Sequence, residues 1–195
     1  MDPVTLTTDR LLLRTVGPAD TEAVYRAAQD PGIQRWTVVP SPYRHEDARR
    51  FTEELVPDGW SRGSMFTFGV FLADGRPGGG DLAGMLGLTR HSPGMAEVGF
   101  WAAGDHRGRG YVTEATLAAC RWIFTEVGVD RVEWRAEVGN HPSRAVAERA
   151  GFTIEGTLRC GLDNKGVRRD CWVGSLLPCD LGLPSTAPYL PAPRA

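Results

Sequence analysis

Two arginines alternate with two glycines in Asp105-His106-Arg107-Gly108-Arg109-Gly110-Tyr111-Val112-Thr113-Glu114-Ala115, a pattern suited to holding an anion. Glycine lets a ligand approach the backbone closely, and the first amides of a helix have no internal acceptor, so such a turn presents a row of N–H donors. The chemistry is that of a phosphate site. Spacing excludes two other phosphate loops: a P-loop needs Gly-x-x-x-x-Gly-Lys-Ser/Thr, and the only lysine, Lys165, lies far from these glycines. The dinucleotide fingerprint Gly-x-Gly-x-x-Gly finds Thr113 where its third glycine belongs. A strand must deliver this turn and a helix must leave it; residues 96–101 read as the strand, and the stretch from Tyr111 to about Glu126 as an amphipathic helix.

A second cluster lies downstream: Asn140-His141-Pro142-Ser143-Arg144-Ala145-Val146-Ala147-Glu148-Arg149-Ala150-Gly151-Phe152. Together the two clusters resemble the GNAT superfamily of N-acetyltransferases, whose pyrophosphate loop runs Arg/Gln-x-x-Gly-x-Gly/Ala and whose next motif runs from an asparagine to Gly-Phe. Ile33-Gln34-Arg35-Trp36, Ser143, the run from Gly151 to Arg159 and Arg168-Arg169-Asp170 look like the RimJ/RimL-like branch, which acetylates ribosomal-protein N-termini. The resemblance spans roughly Leu6 to Leu183. It implies an acetyl-coenzyme A-dependent domain at residues 1–183 with an α/β (α+β) fold. That fold has a single mixed, mostly antiparallel central sheet, splayed between its fourth and fifth strands, with helices on both faces.

Acetyl transfer to an amine needs a held thioester, a deprotonated amine, a stabilised oxyanion and a proton for the departing thiolate. By the resemblance, the pyrophosphate rests on the backbone of Arg107, Gly108, Arg109, Gly110, Tyr111 and Val112, with the two arginine side chains adding charge. The pantetheine arm pairs with backbone groups near Val98, Phe100 and Trp101, one of whose amides serves the oxyanion. Glu97 stands where related histone acetyltransferases carry a glutamate base; strand alternation alone would equally make it a surface salt-bridge partner. The tyrosine that many members place after the asparagine is Ala147 here, so Ser143 becomes the candidate acid and Asn140 the pantetheine contact. Asn and Ser beside Pro142 are also what caps a helix. His106 and His141 flank the motifs without matching a family position.

The resemblance also bounds the acceptor groove. One wall is the segment from Trp36 to Trp60, including Tyr43, and the other is the connection at residues 161–168, with Glu46, Asp47 and Asp163 available to attract a cationic amine. Trp36, Tyr43 and Trp60 would serve equally as core or lid. The acceptor is read as a protein N-terminal amine. A small-molecule amine such as an antibiotic or polyamine, or a weakly catalytic acyl-coenzyme A sensor, are the alternatives.

Composition bounds the rest. A chain of 195 residues with 42% hydrophobic residues suits one domain. A net charge of −2 supplies no general field for nucleic acid. No basic leader or apolar span is visible, so a cytoplasmic protein with no membrane partner is expected, as monomer or homodimer. Cys120, Cys160, Cys171 and Cys179 show no metal-ligand or redox spacing, so buried, reduced thiols and no metal are expected. Strands are predicted at 11–14, 65–71, 82–89, 97–102, 131–138, 153–159 and 169–177, with helices opening at Pro18 and running from His45 to about Leu55. The glycines of 74–81 join two strands as a hairpin loop, and the proline-rich tail, 184–195, lies loose or against the surface.

Overall fold

Alternation in Leu11-Leu12-Leu13-Arg14 buries Leu11 and Leu13 and leaves Leu12 and Arg14 half-buried, the pattern of a strand covered mainly on one face. Phe66 to Phe71, by contrast, are six consecutive buried residues, so the sheet's centre is covered on both faces. The computed structural model describes residues 1–192. Its eight strands are β1 (Leu6–Thr7), β2 (Leu11–Arg14), β3 (Met65–Leu72), β4 (Leu82–Ser92), β5 (Met95–Ala102), β6 (Arg131–Glu137), β7 (Thr153–Asn164) and β8 (Val167–Leu176). They form one sheet in the order β1-β2-β3-β4-β5-β6-β8-β7, in which only β5 and β6 run parallel. The strands expected as fourth and fifth are thus β5 and β6, the short β1 having been added in front.

Six helical segments accompany them: α1 (Thr21–Ala28), α2 (Pro31–Trp36), α3 (His45–Arg50), α4 (Val56–Arg62), α5 (Tyr111–Trp122) and α6 (His141–Arg149). A wider π turn, Phe51–Leu55, joins α3 to α4, and another, Ile123–Val127, extends α5. The helix expected to stop near Leu55 therefore runs on to Arg62, where Gly63 caps it in the left-handed conformation. The α2 helix was not predicted, although Asp30 followed by Pro31 is a start signal: the Asp30 carboxylate accepts from the Ile33 amide at 3.0 Å.

Helices lie on both faces. Val132, Trp134 and Ala136 of β6 are buried on the side where Trp134 meets Ser143 of α6; Glu137, on the alternate side, takes Arg35 of α2. Under α4 and α5 an aromatic cluster of Trp60, Phe66, Phe68 and Trp122 packs edge to face at centroid distances of 5.1–5.5 Å, with the two tryptophans tilted against each other at 5.7 Å. Trp60, 1% exposed and donating its indole N–H to Thr67 O, is core and not a groove wall. Tyr43 is buried too, and its loss of solvent pushes the hydroxyl up to about 12. Two more expectations need correction. Cys160 and Cys179 are exposed, leaving Cys120 and Cys171 as the buried thiols. Residues 161–168 are no loose connection but the end of a β7–β8 hairpin that turns at Lys165 and Gly166, both in left-handed backbone. The tail lies on the surface where Thr186 and Ala187 donate to Asp130; residues 193–195 of it lie outside the described residues.

Candidate active site

The parallel register of β5 and β6 lasts four residues, from Met95 opposite Arg131 to Val98 opposite Trp134. Beyond Val98, β5 continues to Ala102 against β4 alone, and beyond Trp134, β6 continues to Glu137 against β8 alone. Each strand therefore turns an unpaired edge to the other. Such an opening between two strands accepts an extended ligand by strand addition. Phe100 and Trp101, half-buried, line its β5 side.

At the open end of this cleft, β5 leads through a short 3-10 turn, Gly104–His106, to the glycine turn and α5. Gly108 has φ +74° and Gly110, the N-cap of α5, φ +78°. These are left-handed values that glycine alone adopts without strain, and they fold the turn over the helix start. Among the described residues no protein acceptor receives the amides of Gly108, Arg109 or Gly110, and Tyr111, Val112 and Thr113 supply the unpaired first-turn amides. This row of donors at a helix N-terminus fits a pyrophosphate. The arginines are deployed differently from expectation. Arg107 is bound to Asp30 at 2.7 Å, while Arg109 is exposed and its carbonyl accepts from Arg10 at 3.0 Å. Arg10, also paired with Glu114 and set over the Tyr111 ring at 4.9 Å, is a cation that the local motif did not reveal.

At the closed end, Glu97 and Val98 occupy adjacent places on opposite faces of β5. The Glu97 carboxylate lies 3.4 Å from His91 and 3.7 Å from Arg135. Arg135 in turn binds Glu133, which shares Arg131 with Glu155. So the salt-bridge reading of Glu97 is correct as a description of its partners, and it leaves the carboxylate a third exposed at the cleft. His91 was missed because the register shift between Arg90 and Ser92, visible only in the paired strands, sets where that side chain falls.

Across the sheet, Asn140 caps α6 by accepting from the Ser143 amide at 3.3 Å, as its neighbours predicted. Its Nδ2 makes no protein bond among the described residues. The Ser143 Oγ accepts the indole N–H of Trp134 at 3.0 Å. An indole only donates, so the serine keeps its own proton free to give. Trp134 is also the last residue of β6 paired with β5, which places Ser143 at the apex of the cleft. His141 is exposed beside Trp172, and His106 carries a buried Nδ1 without a partner near Tyr111.

The helix α2 spans the mouth of the cleft on the Glu97 face. Its N-cap, Asp30, holds Arg107 beyond β5, and its Arg35 grips Glu137 at the end of β6 with bonds of 2.8 and 2.6 Å. Asn164 adds a bond to Glu137 at 3.1 Å, and these donors, Arg35 foremost, hold the Glu137 carboxyl down at about 2. Between α2 and the β7–β8 hairpin lies a pocket of about 430 Å³. A larger groove of about 760 Å³ runs between residues 5–10 and the outer face of α5, away from both strand edges of the cleft. Among the described residues no group of three or more His, Cys, Asp or Glu is placed to hold a metal ion, and no helix is long and apolar enough to cross a membrane.

A parallel pair that opens after four residues, with a glycine turn of free amides at its mouth, is what one family model accompanies. Residues 10–153 match that of the acetyltransferase (GNAT) domain. The chain belongs to the GNAT acetyltransferases. It is an N-acetyltransferase that uses acetyl-coenzyme A. A Bacillus subtilis (strain 168) protein provisionally named as the ribosomal N-acetyltransferase YdaF is 36% identical over 135 residues, 67% of this chain and 70% of that protein. A Vibrio cholerae structure provisionally named as a ribosomal-protein-serine acetyltransferase superposes with a TM-score of 0.80 at 25% identity, covering 91% of this chain and 100% of that one. RimL, a ribosomal-protein α-N-acetyltransferase solved with coenzyme A, shares the fold at a TM-score of 0.78 and 19% identity, covering 89% of this chain and 98% of that one. The GNAT fold is thus as expected, and the relatives carry the names of the RimJ/RimL-like branch.

Proposed function

We propose that this GNAT enzyme transfers acetyl directly to the N-terminal amine of a protein in the cytoplasm. Acetyl-coenzyme A supplies the acyl group as an activated thioester. The chain's part is to hold it and to handle two protons. The amides from Gly108 to Thr113 bind the pyrophosphate, with Arg109 and Arg10 as nearby cations. The free edge of β5 around Val98, Phe100 and Trp101 receives the pantetheine together with Asn140, and one of these β5 amides stabilises the oxyanion. Glu97 takes the amine proton, directly or through water, and His91 at 3.4 Å offers that proton a route outward. Ser143 gives the thiolate its proton from the opposite face.

The observation that carries this reading is the placing of Glu97 and Ser143 on opposite faces at the apex of one cleft, so that base and acid flank a ligand threaded between the strands. The same arrangement supports direct attack: Cys171 is buried in the hydrogen-bonded pair of β6 and β8, no cysteine occurs in β5, β6 or α6, and the exposed Cys160 and Cys179 lie outside those elements. The relatives' names favour a protein N-terminus as acceptor. The test is thiol release from acetyl-coenzyme A with the purified enzyme, offered a panel of N-terminal peptides and of small amines. Peptides should be acetylated at their α-amine, located by mass spectrometry. Turnover of small amines with none of the peptides would overturn the acceptor assignment.

A further inference from the structure

The pocket between α2 and the β7–β8 hairpin has a charge that its neighbourhood does not predict. Arg35, Lys165 and Arg169 line it, with Gln34, Asn164 and Val167, and no acidic residue is among its lining residues. The one carboxylate beneath it, Glu137, is 8% exposed and already engaged by Arg35 and Asn164. Arg169 reaches Glu137 only at 3.8 Å, its side chain is 45% exposed, and it donates no other hydrogen bond among the described residues. Lys165 donates to the carbonyl of Gln34 and so stays at the rim. None of the acids expected to attract a cationic amine lines it: Asp163 is turned to Arg168 and the Gly166 amide, Asp47 caps α3, and Glu46 stands beside it in the first turn of that helix.

A second feature is independent of charge. The Asn164 Nδ2 donates to two acceptors, Arg35 O at 3.2 Å and Glu137 Oε2 at 3.1 Å, which fixes the orientation of the amide. Its Oδ1 is then a buried acceptor that receives no hydrogen bond. A buried acceptor left empty costs stability, and a ligand N–H would satisfy it. The pocket therefore offers cations to a carboxylate, and beneath its lining lies an acceptor, closed to solvent in this structure, that a peptide N–H reaches once the Asn164 side chain shifts outward.

We propose that this pocket is the acceptor subsite, and that the enzyme prefers protein N-termini bearing Asp or Glu at the second or third position. The inference rests on the N-terminal reading above and adds the chemistry of the sequence recognised. Distance sets the position. Glu137 lies three residues along β6 from Trp134 at the apex, roughly 10 Å at about 3.3 Å per residue, the span from an α-amine to a side chain one or two residues on. Arg169 and Lys165 hold the carboxylate, Arg35 lends its field, and Asn164, shifted outward, takes a backbone N–H of the acceptor.

Three peptides, identical except for Glu, Gln or Lys at the second and third positions after an N-terminal alanine, provide the test. The wild type should acetylate the Glu peptide with a kcat/KM about tenfold above the Gln peptide, the scale of one charge-assisted bond, and the Lys peptide should be poorer still. Arg169→Ala should erase the preference through KM while coenzyme A binds as before, and Arg169→Glu should turn it toward the Lys peptide. Both variants change an exposed side chain, and a matching melting temperature confirms their fold. Equal rates with all three peptides would overturn the subsite and leave N-terminal acetylation standing. Acetylation of small amines alone, with no peptide bound or modified, would remove both. A weaker coenzyme A affinity in Arg169→Ala would assign the cations to the cofactor and overturn the proposal.

Discussion

The proton handling proposed for this enzyme rests on two side chains of ordinary type in unusual company. Glu97 has His91 and Arg135 within 4 Å, so it is tethered without being spent on a bidentate pair. Ser143 accepts from Trp134 and therefore cannot turn its lone pairs to a ligand as readily as its proton. If Glu97 is the base, Glu97→Gln should lower kcat by about 10²–10⁴ with unchanged affinity for coenzyme A by calorimetry, since the free amides of the glycine turn, proposed to hold the pyrophosphate, lie at the other end of β5. Ser143→Ala should cost less, because water can supply the thiolate proton in its place. Wild-type rates for Glu97→Gln across the pH range would assign deprotonation to solvent. The types and positions of both residues were legible in the sequence. Their partners were not, because His91, Arg135 and Trp134 reach them through strand register, which no local motif encodes.

Among the elements, the turn before α5 is the most self-sufficient. Gly110 is left-handed as the N-cap of α5, and Gly128 is left-handed after the turn that ends the same helical run, with φ values of +78° and +73°. Valine at either place meets the same backbone strain, about 1–2 kcal/mol, but only the first stands in the row of free amides. Gly110→Val and Gly128→Val should thus lower the melting temperature alike, while Gly110→Val alone weakens coenzyme A, read by calorimetry. Equal affinities in the two variants would remove the turn from the cofactor site. The element that pattern reading passed over, α2, is six residues long and buries only Ile33, too short to show a helical period. It is held by its ends instead, through Asp30 to Arg107 and Arg35 to Glu137. An arginine that looks from its motif like a phosphate ligand is thereby committed to bracing a helix across the cleft.

Across the whole molecule, the grip of α2 on β6 carries a pH signature. Arg35, with Asn164, holds the Glu137 carboxyl at about 2 against an ordinary 4.5. A lowered folded value means stability present above the unfolded value and lost as pH falls through the folded one, so the loss falls between about 4.5 and about 2. Glu137→Gln should destabilise the protein at neutral pH by about 1–3 kcal/mol, and its denaturant midpoint should fall less steeply than the wild type's between pH 5 and 3. Parallel slopes would show that Glu137 contributes nothing to acid sensitivity. By itself the sequence determined the GNAT family, and with it the fold, through a resemblance carried by two motif clusters; it also determined the glycine turn and the asparagine cap, because these rest on residues adjacent in the chain whose backbone needs are local: glycine at positive φ, orphan amides at a helix start. Only the tertiary structure decided that Trp60 and Tyr43 are core, that 161–168 is a hairpin, and that Arg35, Lys165 and Arg169 share one pocket. Those facts depend on which distant segments pack together, and burial and charge at such places are set by neighbours far away in the chain.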